Sequence, residues 1–200
     1  MKRRLILALA ALPTLARADA LAQLAAFQRE VRSGRVGFTQ TVRSPNGKLK
    51  TSKGRFEFLR PNRFRFDYDA PEAQTLIGDG QKVWLIDPDL NQASSRPMAG
   101  VLGSTPVALL AGSSLGEAFK LSSEPSEGDV AWVLALPRQP EAGIQRLRIG
   151  LRGTALAAME IVDGLGQRSR LDFGAFEANA PIAPERFKFV PLKGMDVVDG

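Results

Sequence analysis

Residues 54–80 read GRFEFLRPNRFRFDYDAPEAQTLIGDG. Aromatic side chains take alternate positions on both sides of Arg60-Pro61, Phe56 and Phe58 before it, then Phe64, Phe66 and Tyr68 after it. Alternation at period two is strand geometry, because successive side chains of a pleated strand leave by opposite faces. One face of both segments is therefore aromatic, while Arg55, Glu57, Arg63, Arg65, Asp67 and Asp69 share the other. Two adjacent strands with such a face line either a core or an apolar cavity, and the local pattern is the same for both.

Upstream, Val36, Phe38, Gln40 and Val42 keep the same period, and Ser44-Pro45-Asn46-Gly47 supplies a turn. The strand beginning at Lys48 should thus return antiparallel into the aromatic stretch. Before it, Leu21, Leu24, Phe27 or Gln28, and Val31 recur at three- and four-residue steps. This predicts an amphipathic helix over 19–33, capped by Asp19 and stopped by Gly34.

Downstream, Asp79-Gly80 is a tight hairpin signal between strands at 74–78 and 81–87. In the second of these, Trp84 and Ile86 share one face and Val83 and Leu85 the other, so cover is expected on both sides. Residues 98–115 then carry no charge. Thr105-Pro106 opens a short helix through Val107, Leu109 and Leu110, Gly112 closes it, and 115–119 add another helical turn. This insertion is either a buried crossover or a movable cover hinged at its glycines. Further strands are expected at 120–124, 130–136, 144–151, 156–163 and 167–176. A connector over 178–184 leads to a last main strand with Phe187, Phe189 and Val190, and a short one at 196–198. About eleven short strands joined mostly by tight turns imply one antiparallel sheet that curls toward a barrel.

The start of the chain reads as a secretory signal peptide, residues 1–18: Met1-Lys2-Arg3-Arg4, the apolar run Leu5 to Leu12, and Ala16-Arg17-Ala18 before Asp19. The apolar run is short of the roughly 20 residues of a spanning helix. A mature domain over 19–200, outside the cytoplasm, is therefore expected. The leader takes four basic residues and no acid, leaving 23 basic against 21 acidic residues, a net charge of +2. That balance argues against nucleic-acid binding. The absence of cysteine leaves stability to an ordinary core. With no histidine either, a Ser-His-Asp triad, a thiol nucleophile and a Cys/His zinc site are excluded. Carboxylate-pair and Ser-Lys chemistry stay formally open without a motif.

An ordered set of residues resembles the periplasmic lipoprotein carrier family LolA. The set is Arg60-Pro61-Asn62 with Phe64, Phe66 and Tyr68, then Asp79-Gly80, Val83-Trp84, Asp87-Pro88 and Gln92, then Thr105-Pro106 and Leu109-Leu110. It ends with Phe187-Lys188-Phe189-Val190-Pro191 before Gly194, Asp196 and Val197. The resemblance implies an incomplete, strongly curved antiparallel β-barrel with short helices as a lid over an apolar cavity. It also implies a monomeric periplasmic carrier without catalytic activity, cofactor or metal. Such a carrier shelters the acyl chains of lipoproteins between an inner-membrane lipoprotein-releasing ABC transporter and an outer-membrane receptor. By position, Arg60 matches the lid latch. Phe56, Phe58, Phe64, Phe66 and Trp84 are the expected cavity residues, and Val101, Leu102, Leu109 and Leu110 the expected lid; each serves equally as plain core. Phe66 stands where tryptophan is frequent, and Pro191-Leu192 where Pro-Pro is common. Rival readings are a related carrier of another lipid or hydrophobic export product, an exported hydrolase, and a structural or sensor domain.

Overall fold

A computed structural model describes residues 19–98, 111–112, 115–139 and 143–200. The aromatic stretch forms the end of β2 (Leu49–Leu59) and all of β3 (Arg63–Tyr68). Their antiparallel register sets Phe56 opposite Phe66 and Phe58 opposite Phe64, so four rings meet on one face. On the other flank, β1 (Ser33–Arg43) sets Val36 opposite Phe56 and Gly34 opposite Phe58. The sheet continues through β4 (Gln74–Asp79), β5 (Lys82–Asp87) and β6 (Gln92–Pro97) on one side. On the other side β1 meets β11 (Arg168–Phe173), followed by β10 (Ala155–Asp163), β9 (Ile144–Arg152), β8 (Val130–Pro137) and β7 (Phe119–Glu127). A two-residue strand β12 (Glu177–Ala178) also pairs with β1. Among the described residues, thirteen strands form one curved sheet whose edges, β7 and β13 (Asp196–Asp199), do not pair with each other. The result is an open half-barrel. The expected fold class holds, with two more strands than the turn signals marked.

The inner face is covered by α1 (Ala20–Glu30), which packs on β7, β8 and β9. Leu24 and Phe27 go fully into the core with Val133, Leu147, Ile149 and Met159. Each such side chain contributes about 1.5–3 kcal/mol by leaving water. The helix is shorter than its apolar period: Val31 is already extended, and Ser33 and Gly34 belong to β1. Asp19 makes no capping bond, because its carboxylate accepts from the Ser123 hydroxyl instead. A short α2 (Leu115–Ala118) leads into β7.

Gly34 is therefore a packing position rather than a helix stop. A methyl group there would sit 2.6 Å from the Phe58 ring and 2.7 Å from the Phe176 ring. Gly34→Ala is expected to cost about 1–3 kcal/mol by overpacking. Urea titration measures this, and an unchanged midpoint would show that the rings yield freely.

The C-terminal region departs furthest from its strand pattern. Residues 184–187 form a 3-10 turn with Pro184 at its start, and 188–190 are not paired in the sheet. Phe187 turns into a second apolar cluster with Ile77, Ala180 and Ile182 on the outer face, while Phe189 stacks on Trp84 at 4.3 Å. Trp84 itself borders the Phe187 cluster, so both rings pack on the same outer-face layer, and this one-sided packing mimics an alternating strand without a ladder. β13 also pairs with β6 in parallel, an exception to the antiparallel expectation. Of β5, Val83 and Trp84 are covered on opposite sides as expected, whereas Leu85 is 42% exposed.

Glu57 fastens this region to the sheet. It points outward from β2, is nearly fully buried, and accepts from Arg35 Nε at 2.7 Å and from Arg186 Nη2 at 2.8 Å. Burial alone would raise its pKa. The Arg35 and Arg186 hydrogen bonds outweigh that and hold the carboxyl below the usual glutamate range. A depressed carboxylate pKa stabilises the fold fully above the unfolded value of about 4.3, and the contribution is lost as pH falls through the folded value. Glu57→Gln is expected to cost about 2 kcal/mol at pH 7 and to flatten the acid limb of the stability profile. Equal loss in wild type and variant between pH 6 and 3 would assign the acid sensitivity elsewhere.

Candidate functional site: an aromatic inner face closed at one end by arginine

Phe56, Phe58, Phe64 and Phe66 are at most 2% exposed. Phe56 stacks on Phe66 at 4.4 Å and on Phe58 at 5.6 Å. Phe58 reaches across to Phe27 of α1 at 6.0 Å, and Phe38 meets Phe66 at 5.5 Å and Tyr68 at 5.2 Å. Offset and edge contacts of this kind add about 0.5–1.5 kcal/mol each beyond area burial. The patch is thus a surface of rings held by strand register and filled by the protein's own side chains. Beyond Phe66 the same face continues to Leu76 and then Leu85, which sits opposite Leu76 and is half open to solvent.

Arg60 follows β2 directly and closes the end of this face. Its Nε donates to Val31 O at 2.9 Å, just past α1, and its Nη1 donates to Gly112 O at 2.6 Å. Beside it, Asn62 N donates to Ala111 O at 3.0 Å. Asn62 has φ +58, a left-handed conformation that asparagine tolerates. The guanidinium carbon lies 5.2 Å from the Phe27 centroid and 5.4 Å from that of Phe58, a cation–π position. Burial, with the Arg32 charge second, lowers its pKa to about 10, so it remains a cation at neutral pH. Its Nη2 has no hydrogen-bond partner among the described residues. One side chain therefore links α1, the β2–β3 turn and the segment before α2.

The four expected phenylalanines come together with Arg60 at one end. Trp84 does not join them: it lies on the outer face, donates from Nε1 to Asp79 at 3.1 Å, and packs against Phe189. The physical reason is parity, since Val83 shares the row of Phe64 and Gly78, and its neighbour must face away. Val101, Leu102, Leu109 and Leu110 lie outside the described residues. Phe27, Phe38, Phe173 and Phe176 also contact the patch. Each reads locally as an ordinary apolar position, and only strand order brings them to it. Among the described residues no group of acidic side chains converges to hold a metal ion. No described helix is long and apolar enough to cross a membrane.

The fold and this lining define a half-barrel protein with an apolar, aromatic-lined interior and a backbone-bonded arginine at one end. Residues 29–190 match the model of the outer membrane lipoprotein carrier protein LolA. An outer-membrane lipoprotein carrier protein of Methylibium petroleiphilum is 55% identical over 184 residues, which are 92% of this chain and 91% of the relative. The chain therefore belongs to the LolA family of outer membrane lipoprotein carrier proteins. Solved structures agree in fold. An uncharacterized conserved protein from Thermus thermophilus has a TM-score of 0.58 at 14% identity, over 90% of this chain and 99% of that one. A LolA superfamily protein from Nitrosomonas europaea has a TM-score of 0.50 at 11% identity, over 86% and 99%.

Proposed function

We propose that this chain, from Asp19 as one domain after loss of its leader, is a periplasmic carrier of lipoproteins. Acting as a monomer, it takes their acyl chains from an inner-membrane ABC transporter and passes them to an outer-membrane receptor without covalent change. The observation that carries this reading is the ring-lined inner face, continued to half-exposed Leu85 and closed by Arg60. Each methylene withdrawn from water is worth about 0.8 kcal/mol, so an acyl chain of ordinary length needs such a surface to travel through an aqueous compartment. Release must remain possible. Here Phe56, Phe58, Phe64 and Phe66 already pack against α1 and one another. An acyl chain must displace part of that self-packing, which keeps the net affinity moderate. Arg60 is the latch: two hydrogen bonds to backbone carbonyls hold the closed arrangement and can be exchanged one at a time for water.

The test is native mass spectrometry with lipid extraction on protein purified from the periplasm. Bound acylated lipoprotein is the expected result. A different lipid would keep the carrier and change its cargo. Empty protein that takes up no added acyl probe would overturn the reading in favour of a structural or sensor role.

A further inference from the structure

On the outer face, at the end of the sheet away from Arg60, a groove of about 460 Å³ crosses β1, β9, β10 and β11. Strand register decides its make-up. In one row Thr41, Arg170, Glu160 and Arg148 lie side by side; in the next, Arg43, Arg168, Val162 and Arg146. Both rows have the parity opposite to Phe38, Leu171 and Met159, so they point away from the aromatic core. Five arginines thus line the groove with one carboxylate, and Leu49 and Val162 supply carbon surface.

The arginines are not equivalent. Arg148 is bonded to Glu124 at 2.6 Å and to Glu127 and Glu160 at 2.7 Å, and it stacks over buried Trp132 at 4.2 Å. Arg170 is paired with Glu160 at 2.6 Å, and Arg146 with Glu124 at 3.1 Å. Arg43 and Arg168 sit directly opposite each other, with no acidic partner among the described residues. Like charges directly opposite on paired strands destabilise a sheet. The fold itself therefore gains nothing from this pair, and a bound anion would relieve it.

The surroundings narrow the anion to one source. Glu124, Glu127, Glu160 and Asp172 nearly neutralise the five arginines, so the patch attracts an anionic bilayer only weakly at a distance. What remains is short-range geometry, with guanidinium forks beside an exposed leucine, Leu49. That combination is characteristic of protein interfaces. We propose that this groove docks an acidic segment of a protein partner, with carboxylates on Arg43 and Arg168 and an apolar side chain against Leu49 and Val162. Leu49 begins the eleven-residue β2 that ends beside Arg60. The two sites are therefore roughly 33 Å apart at strand rise, and the groove can be engaged while the inner face is occupied. The proposal stands independently of what the inner face carries.

The test is an NMR titration of the whole protein with a blocked pentapeptide alternating aspartate and leucine. A lysine–leucine pentapeptide, inorganic phosphate and phosphatidylglycerol vesicles are the comparators. The aspartate peptide alone should shift amides at 41–43, 161–162 and 168–170. The double variant Arg43→Gln, Arg168→Gln should bind it about tenfold or more weakly, with an equal or higher thermal midpoint. Phosphate shifting the same amides at equal or lower concentration would overturn the proposal in favour of a simple anion site. Vesicles that bind the wild type and not the variant would overturn it in favour of a lipid surface. Unchanged peptide affinity in the variant, or a lowered midpoint, would also overturn it.

Discussion

Phe56→Ala is expected to destabilise the protein by about 3–5 kcal/mol, the range for removing a fully buried aromatic ring. Phe56 is 0% exposed and touches rings on three sides: Phe66 at 4.4 Å, Phe58 at 5.6 Å and Phe173 at 6.4 Å. Its row begins at Val36 on β1 and runs on to Phe66 and Leu76, so neighbouring strands cannot close the hole without giving up register. Urea unfolding measures the loss. An acyl-chain probe measured in parallel should bind more tightly to the variant, because the hole offers a ready-made apolar volume. A cost below about 1 kcal/mol would mean that the inner face collapses freely. The patch would then act as a compliant surface rather than a packed one, and the argument from self-packing to moderate affinity would fail.

Arg60→Leu should change global stability little and local opening strongly. Removing the guanidinium forfeits the bonds to Val31 O and Gly112 O, each about 1.5–3 kcal/mol for a charged donor. It also removes a cation that burial already disfavours, as its pKa near 10 records. These effects oppose each other, and the net change in unfolding free energy is expected near 1 kcal/mol, since burying an ion costs several kcal/mol before pairing. The local consequence has no such offset. Asn62 N–H bonds to Ala111 O beside the latch, and α2 follows closely in the chain. Amide exchange at Asn62 and over 115–118 should accelerate about tenfold or more through local opening. In the proposed function the variant retains cargo in greater amount, because a site open to entry refills without the latch to expel it. Unchanged exchange at those amides would show that apolar packing alone holds the segment, and Arg60 would lose its role.

The half-barrel and the ring cluster were legible because both rest on period-two alternation. Phe56, Phe58, Phe64 and Phe66 had to share a face once 54–59 and 63–68 were strands, and the Arg60-Pro61-Asn62 break between them left an adjacent antiparallel pair. The C-terminal departure comes from the same rule. Phe187 and Phe189 alternate, yet they bury into two contacts of an unpaired segment, and alternation cannot tell a ladder from packing. Gly34 reads as a stop because it follows an apolar helical stripe. Its real constraint is the pair of rings from Phe58 and Phe176, one of them 142 positions further along the chain.

By itself, then, the sequence determined the strand pattern, the two faces of β2 and β3, the chemistry that is missing with histidine and cysteine, and the resemblance that family membership bears out. All of these depend on neighbours a few positions apart or on which residue types exist. Only tertiary structure decided that Trp84 faces outward, that Phe27 and Phe38 join the patch, and that Arg60 bonds carbonyls of Val31 and Gly112. It also set Arg43 against Arg168 with no counter-charge among the described residues. Those relations depend on strand order and register across the sheet, which bring together segments over a hundred residues apart and which no local period encodes.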